Sequence, residues 1–299
     1  KKIIYSGSRT EEFFVFLLAC IFSNYRIFPI DPKTSKAKIA SYRKKFKFDY
    51  YVNNFDLKKI DNEHLGDVNY EDAEFLYILS SGTGDGEPRA ILHTISSLLK
   101  SSKSFSEIAN YNEKTTVFHC LPTFYMAGIL NTFLSCIYSN SKIAIGKTVG
   151  FENINLFWKQ TKKLRVNSIH LTPSIFLALC IFHKVDRNIR DHLSEYQSII
   201  STASYLYPEI RKKFSDIFKR KIQSCYGLTE LGGPLTCENI EDTLNEDNDY
   251  VVGRHSNKVK FKISNNKTIL IKSPFMMKGY IDQQGKVKKP RAIKGYFNT

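Results

Sequence analysis

YILSSGTGDGEPRAILHT, residues 77–94, sets a Ser/Thr/Gly-rich turn with one basic residue between two short apolar runs. Gly82, Gly84 and Gly86 reach backbone conformations closed to other residues and let main-chain N–H groups approach an anion. Ser80, Ser81 and Thr83 add hydroxyl donors, and Arg89 adds a fixed positive fork. The flanks FLYIL and AILHTI read as buried strands, so the element is strand–loop–strand. The strand–loop–helix spacing of a GxxxxGK[ST] nucleotide loop is absent. Such residues are also the ordinary punctuation of turns, so this stretch alone leaves a plain hairpin loop open.

Outward from this loop the chain alternates. Strand-like runs at 2–5, 26–29, 50–52, 75–79, 117–120, 142–145, 168–171, 198–201 and 222–224 are separated by helical stretches. That alternation predicts an α/β fold of stacked, largely parallel sheets with flanking helices. After Gly233 the texture changes: an acidic, polar stretch, CENIEDTLNEDNDY, precedes VKFKIS and KTILIKS, which alternate like a hairpin around Asn265 and Asn266. A boundary near residue 235 is therefore expected, with an α/β core over 1–235 and a smaller β-rich subdomain over 236–299.

With 299 residues and 42% hydrophobic content, the chain can bury a sizeable core. FFVFLLACIF, from Phe13 to Phe22, covers only half of a bilayer span and is broken at once by Ser23, Asn24 and Arg26, which predicts a buried helix. The six cysteines stand singly, without CxxC or metal-ligand spacing, and read as reduced core residues of a cytoplasmic protein. The formal charge of +15 raises a nucleic-acid reading, but the basic residues fall in several short groups and form no recognisable nucleic-acid module. They read as a solvated surface, with steering of an acidic partner as a secondary role. His93, His119, His170 and His255 read as core or surface histidines.

A second motif lies far downstream. SCYGLTELGG, residues 224–233, gathers an aromatic ring, a hydroxyl and a carboxylate at Tyr226, Thr229 and Glu230 around Gly227. A ring can stack on an adenine, and a carboxylate can hold a magnesium ion that also bridges substrate phosphates.

Taken together, the two motifs resemble those of the acyl-activating, adenylate-forming (AMP-binding) enzymes: acyl-CoA synthetases, acyl-AMP ligases and peptide-synthetase adenylation domains. SSGTGDGEPRA resembles the family signature TSGTTGxPKG, with Arg89 at the usual lysine and one extra residue near Asp85, and Tyr226, Gly227, Thr229 and Glu230 match YGxTE. Weaker resemblances follow in order: PIDP ending at Pro32, LPTFYMAG (121–128), IHLTPSIFLALC, STASYLYPEIRKKF (201–214), VVGR (251–254), ILIKSPFMMKGY (269–280) and GYFNT (295–299).

The resemblance implies the large domain of an acyl-CoA synthetase, N-terminally incomplete, with a small C-terminal β-subdomain that ends before the family's hinge. The aspartate that meets the ribose hydroxyls and the lysine-bearing C-terminal lid domain are expected beyond Thr299. It implies ATP and Mg2+ as cofactors and coenzyme A or the phosphopantetheine arm of an acyl carrier protein as acceptor. Ser80, Ser81, Gly82, Thr83, Gly84, Gly86, Arg89, Thr202, Ala203, Ser204, Tyr226 and Gly227 are expected at the nucleotide, Thr229 and Glu230 in catalysis, Glu230 on magnesium, and Tyr125 and Gly128 at the substrate. PTFYMAG lacks the aspartate that amino-acid-activating relatives pair with a substrate ammonium, and a buried unpaired ammonium is costly. A carboxylic acid without an α-amino group follows. A catalytically degenerate binding protein of the same fold, or a basic nucleic-acid binder, are the alternative readings.

Overall fold

The structure is a computed structural model that describes residues 1–7, 10–53, 71–80, 89–147, 149–150, 152–182, 187–239, 251–282, 284–290 and 292–299. Ser81, Gly82, Thr83, Gly84 and Gly86 of the expected phosphate loop lie outside the described residues.

Among the described residues, the first of two seven-stranded sheets contains β1 (Lys2–Tyr5), β2 (Arg26–Pro29), β3 (Tyr50–Val52), β4 (Glu74–Leu79) and β5 (Ala90–Thr94). Strands β3, β1, β2 and β4 run parallel, and β5 pairs antiparallel with β4. The second sheet contains β6 (Thr116–His119), β7 (Lys142–Ile145), β8 (Ser168–Leu171), β9 (Ser198–Ser201), β10 (Gln223–Leu228), β11 (Gly233–Cys237) and β12 (Arg254–His255). Its order is β12-β11-β10-β9-β8-β6-β7, parallel from β7 to β10 and antiparallel beyond. The fold is thus the expected one: stacked, parallel-rich sheets with flanking helices.

The inner parallel strands are apolar runs buried on both faces, so helices must cover both sides. Helices α1 (Glu11–Phe22) and α3 (Ile95–Ile108) and a π-helical segment, Ala127–Leu134, which continues into α4 (Ser135–Tyr138), fill the space between the sheets. Their Phe13, Phe14, Leu17, Leu98, Phe105, Leu130 and Phe133 share one core with Ile27 and Leu76 of the first sheet and Val117 and Ile200 of the second. The apolar run from Phe13 to Phe22 is therefore a core helix, and among the described residues no helix is long and apolar enough to cross a membrane. Helix α2 (Lys36–Phe46) covers the outer face of the first sheet through Ile39 and Phe46. Helices α5 (Phe157–Lys163), α6 (Pro173–Phe182) and α8 (Pro208–Phe218) cover the outer face of the second through Trp158, Phe176 and Phe214. Helix α7 (Arg187–Ser194) precedes β9.

Capping chemistry sets the helix limits. Ser35 accepts from the Lys38 amide to start α2, and Thr94 accepts from the Ser97 amide, so the last residue of β5 also caps α3. Pro208 opens α8, and Lys219 closes it in the left-handed conformation with φ +57°.

The C-terminal third is distributed. Strands β13 (Lys260–Ile263), β14 (Ile269–Lys272), β17 (Ala292–Ile293) and β18 (Tyr296–Asn298) form an antiparallel sheet of their own, with β13 and β14 paired as the expected hairpin. Strands β15 (Gly279–Ile281) and β16 (Val287–Lys288) return instead to the first sheet, where β15 pairs antiparallel with β5. The boundary read near residue 235 falls inside β11, which stays in the second sheet through its pairing with β10.

All six cysteines are free thiols. Of the histidines, His93, His119 and His170 are fully buried and His255 is exposed. Burial pushes His93 down to about 4 and His170, held edge-on to Phe105 and Tyr111, down to about 3. Both are neutral in the folded state at neutral pH. The unfolded chain takes up protons near pH 6.5, and the folded chain does not until about 4 and about 3. Their contribution is therefore complete above pH 6.5 and shrinks as pH falls toward the folded values. Urea denaturation at pH 7 and pH 5 should show a loss of about 2 kcal/mol per histidine, and His170→Phe should remove about half of the combined loss.

Candidate active site

Several of the expected site residues lie at or just beyond the carboxyl ends of parallel strands. In the second sheet β6, β8, β9 and β10 lie side by side, and the chain leaving β6 carries LPTFYMAG, that leaving β9 carries Thr202–Ser204, and β10 itself carries Tyr226 and Gly227. The carboxyl edge of a parallel sheet is where loops from successive units converge and where open α/β folds bind ligands.

Strand β10 is parallel to β9 on one side and antiparallel to β11 on the other, with a register shift between Tyr226 and Gly227. Gly227 serves close packing. A Cβ there would lie 2.1 Å from the Gly233 carbonyl oxygen and 2.6 Å from Pro234 Cα. The following 3-10 turn, Thr229–Leu231, is closed by Gly232 at φ +86°, a conformation that favours glycine.

Three elements hold the carbonyls of this turn. His93 of β5 bonds the Thr229 carbonyl through Nε2 at 2.8 Å, so Nε2 carries the ring proton. The Met277 amide donates to the Glu230 carbonyl at 2.8 Å. Ser101 of α3 donates to the Gly232 carbonyl at 2.7 Å. His93 is thus a satisfied core histidine whose partner is the functional motif itself. The turn also rests on an apolar cluster of Ile91, Leu231, Leu235, Ile271, Phe275 and Met277, against which Tyr226 and Tyr280 pack.

Arg89 and Glu230 meet at Tyr280, a residue that sequence reasoning quoted only within a larger segment. Tyr280, opposite Ile91 in the β5–β15 pairing, donates its hydroxyl proton to Glu230 Oε1 at 3.1 Å. The Arg89 guanidinium lies over the same ring, 5.5 Å from the Tyr280 centroid. Burial, then the Glu230 charge, raises the phenol to about 12 against the opposing pull of Arg89, so it stays a proton donor at neutral pH. At the neck of the glycine-rich loop the Ser80 amide donates to the Arg89 carbonyl at 2.9 Å, and the Arg89 amide to Ser80 Oγ at 3.4 Å. The two ends of the loop are therefore joined and face the YGLTE turn through Tyr280.

Burial raises the Tyr226 phenol above its usual range. Thr202 is buried and leaves β9, the strand paired with β10, so the turn after β9 begins beside the strand that carries Tyr226. Ala203 has φ +74°, a left-handed conformation that costs a non-glycine residue about 1–2 kcal/mol, and Ser204 is exposed. Tyr125 is 52% exposed and tilted against Phe124. Gly128 is buried; a Cβ there would lie 2.1 Å from the Pro122 carbonyl oxygen. Its helix reaches the motif where Met126 and Leu130 approach to 3.5 Å of the Cβ position of Gly233.

Among the described residues no group of three or more His, Cys, Asp or Glu side chains forms a metal cage. A single carboxylate on a fixed turn suits an ion such as Mg2+, which keeps waters and completes its shell with substrate phosphates.

The model of a family described as AMP-binding enzyme matches residues 2–281. A malonate–CoA ligase of Arabidopsis thaliana is 20% identical, the match covering 80% of this chain and 42% of the relative. In structure, ATP-bound MatB from Rhodopseudomonas palustris superposes with a TM-score of 0.85 at 13% identity, over all of this chain and 65% of that one. The inhibitor-bound N-terminal domain of FACL13 from Mycobacterium tuberculosis gives a TM-score of 0.82 at 14% identity, over all of this chain and 82% of that domain. The chain spans less than half the length of the ligase it matches in sequence.

Two substitutions probe the local architecture. Gly227→Ala forces β10 and β11 apart and should lower stability by about 1–3 kcal/mol in urea denaturation. His93→Leu removes the donor to the Thr229 carbonyl and should cost about 1–2 kcal/mol at pH 7.5, with His93→Gln recovering part of the loss.

Proposed function

The chain belongs to the AMP-binding enzyme family, and on that premise we propose that it activates a carboxylic acid with ATP to an acyl-adenylate. The observation that carries this reading is the meeting of Arg89 and Glu230 at Tyr280, which sets the neck of the glycine-rich loop against the YGLTE turn.

A carboxylate oxygen of the substrate attacks the α-phosphorus, a new P–O bond forms, the α–β bridging bond breaks, and pyrophosphate leaves with the bonding pair. Such a transfer depends on positioning and on spreading negative charge. Arg89 and the loop over Ser80, Ser81, Gly82, Thr83, Gly84 and Gly86 take the β- and γ-phosphates. Thr229 binds at the α-phosphate. Tyr226 stacks on the adenine, and Gly227 with the small residues Thr202, Ala203 and Ser204 lets the nucleotide pass close. Glu230 holds Mg2+, which, when bound, neutralises phosphate charge.

Tyr125 and Gly128 border the acyl group. The absence of an acid from PTFYMAG supports a substrate without an α-amino group, and the name of the Arabidopsis relative agrees with such a substrate and with coenzyme A as acceptor. In the second step a thiol of coenzyme A or of a carrier protein attacks the acyl carbonyl and AMP leaves. Six free cysteines support a reducing, cytoplasmic setting.

ATP–pyrophosphate exchange by the intact protein across a panel of carboxylic acids tests the reading. Exchange is expected with acids that lack an α-amino group. Exchange with amino acids alone refutes the substrate assignment, and ATP binding without exchange for any acid points to a binding protein of the same fold.

A further inference from the structure

We propose that Tyr280 is a positioning residue that sets the metal-holding carboxylate through its hydroxyl and the phosphate-holding cation through its ring. This rests on the nucleotide-site reading above and adds a residue that neither motif contains.

Three features support it. First, the hydroxyl donates its proton to Glu230 Oε1 at 3.1 Å, and the Arg89 guanidinium lies over the ring of the same residue, 5.5 Å from its centroid. Second, Tyr280 is fixed from behind. Its backbone pairs with Ile91 of β5, the Lys278 amide donates to the Leu92 carbonyl at 2.8 Å, and its ring packs on the cluster beneath the YGLTE turn. Third, Glu230 is fixed at its own backbone by the Met277 amide, from the segment that leads into β15. Backbone and side chain of Glu230 are therefore both held by residues 277–280. Occupying one carboxylate oxygen with a neutral donor leaves the second for a cation and keeps the full negative charge on the group. Loss of the hydroxyl frees the carboxylate to rotate away from the position that receives the metal, while the ring beneath Arg89 is kept.

The test compares the intact wild-type protein with Tyr280→Phe and Glu230→Gln, reading ATP binding by calorimetry with and without Mg2+, and thermal midpoints as a check on folding. Tyr280→Phe is expected to weaken Mg2+-dependent ATP binding about tenfold while changing metal-free ATP binding by about twofold at most. It should also raise the Mg2+ concentration needed for half-maximal exchange, a shift that a loss of packing alone would not produce. Glu230→Gln should lose the Mg2+ enhancement altogether. If Tyr280→Phe keeps the wild-type enhancement while Glu230→Gln has lost it, the positioning role is wrong and the nucleotide site stands. If Glu230→Gln keeps the enhancement, or wild type binds no ATP, both fall. Should Tyr280→Phe fail to fold, 3-fluorotyrosine at position 280 reads the same hydroxyl in the native background. Its fluorine signal should move when Mg2+ is added to the ATP-loaded protein, and a signal indifferent to Mg2+ overturns the role.

Discussion

The site depends on keeping one short turn, Thr229 to Gly232, rigid while its carbonyls are withdrawn from water. A buried carbonyl without a donor costs about 1–3 kcal/mol, so each must find a partner. Here the partners come from β5, from α3 and from the segment before β15. The turn is the point at which the interior helix layer, the first sheet and the second sheet are tied together. Its place in the molecule is therefore set by the packing of the whole large core, and its side chains inherit that precision without further support from their own segment.

The same economy explains the direction of β10. Up to Ser224 it is an inner parallel strand, with Ser224 opposite Ser201 of β9. Beyond that it pairs with β11, which returns antiparallel after the Gly232–Gly233 corner. The shift in register at Tyr226 and Gly227 breaks the flat ladder at the edge where the strand end meets the turn after β9. A half-buried Tyr226 follows: its ring rests on the cluster with Phe275 and Met277.

Much of this was legible in the sequence, for reasons that differ from element to element. The runs at 2–5, 26–29, 168–171 and 198–201 match β1, β2, β8 and β9 to the residue, because inner strands covered on both faces are short apolar blocks with polar ends. Strand β10 runs on to Leu228, past the expected end at Ser224, since its extension depends on pairing with β11 rather than on local propensity. The return of β15 to β5 left no local signal either, and with it went Tyr280. Only long-range pairing brings that phenol beside Arg89 and Glu230. His93 was legible only as a core or surface histidine, and its partner, the Thr229 carbonyl, belongs to the fold and not to the segment.

A tyrosine between an arginine and a glutamate also has an energetic logic. If Arg89 and Glu230 paired directly in this half-buried setting, their attraction at 4 Å would be worth about 4 kcal/mol with an effective dielectric of 20. Any polyanion entering the site would first have to break that pair, and its affinity would fall accordingly. With Tyr280 beside both, the glutamate keeps a hydrogen bond to the hydroxyl and the arginine lies over the ring. The arginine can turn to a phosphate by giving up one contact with a neutral ring, worth about 0.5–1 kcal/mol at an exposed site. The glutamate need not move at all. Because the phenol titrates far above neutrality, it cannot itself become a third charge in the site. The two fixed charges therefore stay available to a nucleotide while the empty fold remains satisfied.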